Sequence, residues 1–463
     1  MQPRYFLFFI LSLFCTGLVH AMPCAVSVAV IDSVSLNGND ITKNQVLLAE
    51  LTFKVGDSIA TSDLEQVLEQ NRKRISNLRL FHEVSYTYTC TEGRVAVVYT
   101  MQERWYLYPI PILELADRNF NAWLEKKDYS RIDYGINLVR RNFRGRNEEV
   151  RVRLQQGFNK RLELGYRVPY ISRTHKVGID LGVADYRSRT INYTVRNNKQ
   201  RFFEQQNGLP IHRTSFSGAV IRRQSVERQE GLRLSYHQEK ISDSVAYLNP
   251  DYYRDNIEQR QYLRAELFKA INLRNNFAYP LTGSYFEAAV SHTLFLNQTG
   301  SAFTALRAKY VNYSKLSEKF YYTVGAEGQL RLAKRHAFAD NIALGYRALV
   351  RGYELYVVGG QHYALFKQGV SYELLKLESM RVKQIKNPKF NRIPIAIYMN
   401  AFTDAAYAAD KVYNQENPLA NRLLAGGGFG LHFVTFYDIV LRLEYTLNRE
   451  GDRGFYLNGR FPF

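Results

Sequence analysis

Residues 439–447 read Ile-Val-Leu-Arg-Leu-Glu-Tyr-Thr-Leu. In an extended strand Ile439, Leu441, Leu443, Tyr445 and Leu447 share one face, while Val440, Arg442, Glu444 and Thr446 share the other, because successive side chains point to opposite sides. The alternation recurs upstream, in Leu162, Leu164, Tyr166 and Val168 against Glu163, Gly165 and Arg167, and again in Ile179, Leu181 and Val183. In a soluble sandwich the charged face meets water and the apolar face meets a second sheet. In a membrane barrel the apolar face meets lipid and the polar face lines a lumen, so a polar average coexists with residence in a bilayer.

Working outward, segments of this kind fill residues 104–463 and predict sixteen strands, eleven before residue 335 and five after 359. An even number returns both chain ends to one side, as an outer-membrane barrel requires. Short turns (142–147, 226–229) alternate with long connections (188–212, 242–259), the asymmetry between inner turns and external loops. Phe461 and Phe463 place two aromatics on one face at the very end. The predicted fold is an all-β membrane protein, a sixteen-stranded antiparallel barrel. Apart from residues 5–19 no apolar run approaches the roughly 18 residues of a spanning helix, and with 34 Tyr and 28 Phe the chain is too aromatic for disorder.

The amino terminus accounts for that one apolar run. Arg4 precedes an apolar stretch over residues 5–19, and Val19-His20-Ala21 has the small-x-small form of a secretory cleavage site. Residues 1–21 are therefore expected to be a signal peptide. The mature chain keeps Cys24 and Cys90, which in an oxidising compartment leaves two readings, one disulfide or two buried thiols.

Residues 22–103 read as a small α+β unit. Residues 26–30 alternate as a strand, Gly38-Asn39 makes a turn, and Thr42 with Gln45 three places on predicts a capping box for a short helix carrying Val46, Leu47 and Leu51 inward. Ser62 or Asp63 is expected to cap a second helix with Leu64, Val67, Leu68, Ile75 and Leu78 on its inner face. Two strands, 81–89 and 94–102, flank a Glu92-Gly93 turn. The order β-α-α-β-β, with Gly-Asn-x-Ile-Thr, Gly-Asp and Leu-Phe-x-x-Val, resembles a POTRA domain. That resemblance implies a periplasmic location and a sheet edge offered to partners or clients, here Val84, Ser85, Tyr86, Thr87, Tyr88 and Thr89, binding by strand addition. A structural spacer with a covered edge is the other reading.

Within the connection 333–359 lies Val350-Arg351-Gly352-Tyr353-Glu354. A Val-Arg-Gly-aromatic motif in the sixth external loop of a sixteen-stranded barrel behind a POTRA domain resembles the BamA/TamA superfamily, over essentially the whole mature chain. Asn142-Phe143-Arg144-Gly145-Arg146, Pro280-Leu281-Thr282-Gly283 and Gly359-Gly360 support it. The resemblance implies a loop folded into the lumen, with Arg351 meeting Glu373 on the twelfth strand and Phe402 and Asp404 on the thirteenth. Alternation independently turns Glu373, Phe402 and Asp404 inward. Gly426, Gly428 and Gly430 fall on the lumen face of the fourteenth strand, giving the loop room or letting the sheet bend. Two departures stand out: one POTRA domain where relatives carry several, and Asn458 where the terminal signal ending in Phe461 and Phe463 calls for Gly.

The function implied is assembly and insertion of other outer-membrane proteins, templated at the seam between first and last strands. Pro109 and Pro111 remove two donors from the first strand. Polypeptide translocation of the two-partner type, an accessory or passive barrel, and lipid handling are the alternatives. Expected partners are unfolded outer-membrane or secreted polypeptides, outer-membrane lipids including lipopolysaccharide, and accessory subunits, with no nucleic acid. No catalytic residue, metal site or cofactor is expected: HExxH and GxSxG are absent from the sequence. Charge divides unevenly, with 24–103 near −3 and 104–463 near +21. Arg196, Lys199 and Arg201 in the third loop are expected to meet lipid phosphates at the outer rim.

Overall fold

The computed structural model describes residues 26–115, 132–171, 176–205, 208–225, 227–298, 301–381, 392–435 and 439–459. The signal peptide, Cys24, Phe461 and Phe463 lie outside these residues.

The N-terminal unit runs β1 (Val28–Asn37), α1 (Asn44–Leu48), β2 (Ser58–Ala60), α2 (Leu64–Asn77), β3 (Phe81–Thr91) and β4 (Arg94–Glu103). Its sheet order is β2-β1-β4-β3, with β1 parallel to β4 and the β3/β4 hairpin antiparallel. Glu92 and Gly93 both take positive φ, closing that hairpin tightly. One face of α2 buries Leu64, Leu68 and Ile75 against Ile31, Val95, Val97 and Tyr99. The alternation expected of β1 is present, with Ala29 and Ile31 buried and Val28 and Val30 facing out; a period of two does not say which phase meets the helices. One local expectation fails. Thr42 does not cap α1. Its hydroxyl and N–H both donate to the Glu103 carboxylate, at 2.6 and 2.7 Å, and no side chain caps either helix. Cys90 is disulfide-bonded.

Among the described residues, sixteen of the remaining strands form one antiparallel sheet, and two pair separately as a hairpin. They are β5 (Leu107–Leu115), β6 (Ile132–Phe143), β7 (Glu148–Gly157), β8 (Asn159–Val168) and β9 (Val177–Ser188). After a loop hairpin of β10 (Thr190–Arg196) and β11 (Lys199–Glu204) come β12 (Ile211–Ser225), β13 (Arg228–Ile241), β14 (Gln259–Asn272), β15 (Gly283–Phe295), β16 (Phe303–Lys315) and β17 (Phe320–Ala333). The last five are β18 (His362–Arg381), β19 (Arg392–Ala409), β20 (Leu423–Thr435), β21 (Ile439–Asn448) and β22 (Arg453–Asn458). The division into eleven and five strands around the long loop is as expected. On β21, Leu441, Leu443 and Leu447 are exposed while Val440, Arg442, Glu444 and Thr446 are buried, so polar side chains face a crowded lumen and apolar ones face out. No described helix is long and apolar enough to cross a membrane.

Candidate functional site

The loop between β17 and β18 folds inward because its residues have somewhere to be buried. Leu344, Ala348, Val350, Tyr353 and Val358 pack with Leu365, Ala406, Ala408 and Leu424 from β18, β19 and β20. The small alanines on β19 leave the volume the loop fills. A bridge between Leu344 and Val358 closes its neck. Gly352 turns the tip with φ +95°, a conformation that suits glycine; its N–H donates to Glu354 Oε2 at 2.8 Å and its carbonyl accepts from Asn448 at 2.7 Å. Gly426 is needed opposite, since a Cβ there would collide with the Arg351 carbonyl oxygen. The lumen glycine of β20 thus makes room for the loop.

Arg351 is 1% exposed. Its backbone N–H and Nε donate to Asp404 Oδ2 at 3.0 and 2.9 Å, and Nη2 donates to Oδ1 at 2.5 Å. This fork-to-carboxylate pair is the strong, geometrically specific kind of ion contact. The guanidinium lies 3.8 Å from the Phe402 ring centroid, a cation over an aromatic face. Phe402 and Asp404 are therefore where the sequence put them.

Glu373 is not. The Arg351 guanidinium meets β18 at the Gln368 carbonyl (3.4 Å). Glu373 lies five residues further along, roughly 16 Å at the rise of a strand, and pairs in register with Tyr398. Inward orientation was read correctly and height was not, because alternation carries no information about depth. The second acid is Glu444 on β21, 3.9 Å from Arg351 Nη1 and 2.7 Å from Arg442. The alternation of residues 439–447 had already turned Glu444 inward, and that was the signal available. His432 on β20 sits 3.4 Å from Glu444 and 2.9 Å from the Tyr279 hydroxyl. Tyr279, from the β14–β15 turn, stacks on Tyr398 with centroids 4.8 Å apart. A chain of contacts thus joins an inner turn to the tucked loop.

Other loops close over the outer mouth. The β10/β11 hairpin tip is tied down by Asn198, whose amide N–H donates to Asn417 and whose carbonyl accepts from Val357 N–H at 2.8 Å. Arg196 at this tip pairs with Glu416 at 2.9 Å, so it serves the loop cap; Lys199 and Arg201 are exposed. Arg260 joins Glu239 (2.8 Å) to Asp340 (3.0 Å), pinning the sixth loop to the wall.

The first strand has a distinctive free edge. Arg141 N–H donates to the Tyr106 carbonyl at 2.8 Å, and β5 runs in unshifted register with β6 from Leu107 to Leu115. Alternation then directs the backbone groups of residues 108, 110 and 112 to β6, and those of Pro109 and Pro111 to the seam that faces the last strand. Both prolines lie inside the paired stretch, and the donors they lack are on the seam side, the only side a proline tolerates in a ladder. Among the described residues no backbone pair joins β5 to β22.

Two motifs read separately in the sequence meet in space. Lys43 N–H donates to the Gly145 carbonyl at 2.9 Å, and the Asn142 amide donates to the Thr42 hydroxyl at 2.8 Å. Gly145, with φ +70°, has its Cα against the Ile41 carbonyl, where no side chain fits. Nearby, buried Glu50 accepts from Tyr170 at 2.7 Å and lies 3.5 Å from Arg223; Arg74 pairs with Glu227 at 3.1 Å. The small unit is thereby docked on the β6–β7, β8–β9 and β12–β13 turns, which fixes that end of the barrel as the inner one. Val84, Ser85, Tyr86, Thr87, Tyr88 and Thr89 lie on β3, the outer strand of its sheet.

This is an outer-membrane barrel with a periplasmic domain and an arginine loop locked in its lumen. Residues 142–458 match the family model described as the Omp85 superfamily domain, and residues 29–104 match the POTRA model described as a surface antigen variable number repeat. The chain belongs to the Omp85 superfamily. It is similar in fold to BamA from Haemophilus ducreyi lacking POTRA domains 1–3 (TM-score 0.54, 14% identity, covering 93% of this chain and 84% of that one). It is likewise similar to CdiB from Escherichia coli (TM-score 0.56, 12% identity, 93% and 75%). No curated protein matches the sequence.

Proposed function

We propose that this protein assembles other β-barrel proteins into the outer membrane, without covalent chemistry and without a cofactor. The observation that carries the reading is the β5 edge: Pro109 and Pro111 leave two donor-less positions facing the seam, so closure there forgoes two backbone hydrogen bonds. A weak seam can exchange its partner for a client strand, since backbone pairing reads strand geometry and not sequence. The β3 edge supports the same role on the periplasmic side, by receiving an unfolded chain before it reaches the barrel. The buried Arg351 lock supports a wall stiff enough to act as template while the seam yields. Clients are unfolded outer-membrane proteins, and accessory subunits share the domain surface.

Depleting the protein and quantifying outer-membrane barrels tests this reading. Loss of several barrel proteins is the expected result. Unchanged barrels with loss of one secreted polypeptide would overturn it in favour of two-partner translocation.

A further inference from the structure

Leucine and valine cover much of the lipid-facing wall, and a strip of small residues crosses β14 to β18. On the outward face of β14 to β18, Lys269 stands opposite Ala288, Ala288 opposite Ala308, Ala308 opposite Gly328, and Gly328 opposite Ala364. The row on one side reads Leu267, Val290, Leu306 and Leu330, and the row on the other Ile271, Phe286 and Tyr310. Small side chains between large ones make a groove, part of an open hollow of about 1050 Å³ on the outer wall.

The groove is neither level nor uncharged. Lys269 is three residues from the inner end of β14, Ala288 five from that of β15, Ala308 seven from that of β16, and Gly328 eight from that of β17. It therefore starts at the periplasmic rim and climbs into the bilayer. At its lower end Arg222 and Lys269 flank Glu230, two positive charges against one, with Arg222 3.4 Å from Glu230. From Lys269 to Ala364 it crosses four strand spacings, about 19 Å at about 4.8 Å each, the reach of a long acyl chain.

We propose that this groove holds one anionic phospholipid of the periplasmic leaflet, its phosphate on Lys269 and Arg222 and an acyl chain along Ala288, Ala308 and Gly328. The net positive charge at the rim matches one phosphate, and the apolar track above it matches a single chain better than a protein face, which would need a broader flat patch.

The test uses the full chain, delipidated in detergent and titrated with phosphatidylglycerol or phosphatidylcholine, with bound lipid counted by native mass spectrometry. Wild type and Leu181→Trp, altered on the lipid face outside the groove, should each hold one phosphatidylglycerol. Ala308→Trp fills the groove and should lose it by about tenfold or more, and Ala288→Phe on another strand serves if the first variant fails to fold by gel mobility. Arg222→Gln with Lys269→Gln should cost about fivefold for each charge and abolish the preference over phosphatidylcholine. Undiminished binding in the filled variants, an unchanged preference in the neutralised one, or displacement by lipopolysaccharide or a second copy of the chain would each overturn the proposal.

Discussion

Replacing Arg351 with Met tests whether the loop lock is an energetic element or an incidental contact. Arg351 is held by three hydrogen bonds to Asp404, a ring contact with Phe402 and the more distant Glu444. Two of those bonds come from the guanidinium, and truncation removes both while leaving Asp404 buried beside the loop. Glu444 keeps Arg442 at 2.7 Å, so the penalty falls mainly on Asp404. Breaking one partner of a buried ion pair costs about 3–5 kcal/mol. At 1.4 kcal/mol per tenfold, even the lower figure raises the untucked population by more than about a hundredfold. Ala348→Cys provides the assay, because this buried loop position reacts with a maleimide only when the loop leaves the lumen. Labelling should accelerate about a hundredfold in the Met variant, and Asp404→Leu added to it should restore most of the protection. Labelling within about threefold of wild type would mean that the loop is held by its apolar packing alone.

Gly426→Val should release the loop with Arg351 intact, because its Cβ would meet the Arg351 carbonyl; labelling at Ala348→Cys should again rise, and Gly218→Ala, whose nearest neighbour is the end of a leucine side chain, should not alter it. Gly145→Val puts a side chain against the Ile41 carbonyl at positive φ and should undock the periplasmic domain without unfolding the barrel, read as a longer spin-label distance between α2 and the β8–β9 turn. In α2, the hydrogen bond from Arg72 holds the Glu69 carboxyl below its usual value. A depressed carboxyl stabilises above the usual carboxylate range and ceases to do so as the pH falls and both states take up the proton. Glu69→Gln should therefore weaken hydrogen-exchange protection in α2 by about 0.3–0.5 kcal/mol at neutral pH and by nothing in acid.

The sequence carried the barrel because lipid and lumen impose opposite chemistry on alternate residues, a period that β21 keeps along nearly its whole length. It carried Arg351, Phe402 and Asp404 through a motif and a face. What alternation cannot encode is height, and Glu373 was misplaced for that reason, with Glu444 taking the position beside the arginine from a strand farther round the wall. The capping box at Thr42 failed for a different cause: a distant acceptor, Glu103, competes with the helix end for the same hydroxyl. The docking of Thr42 and Lys43 on Asn142 and Gly145 joins segments about a hundred residues apart, and nothing in either segment announces the other. The prolines of β5 were visible from the start, but which edge they face depends on a single register observation.

The seam is the central claim, and locking it is the direct measurement. Ile110→Cys on β5 is combined with cysteine at Phe455, Tyr456 or Leu457 on β22, and the pair that closes a disulfide is reconstituted into vesicles with an unfolded client barrel. Insertion is followed with and without reductant, beside the parent protein carrying only its own cysteines. Insertion lost in the locked form and regained on reduction, with the parent indifferent to reductant, is the expected result. A locked protein that inserts its client as fast as the reduced one would contradict the account.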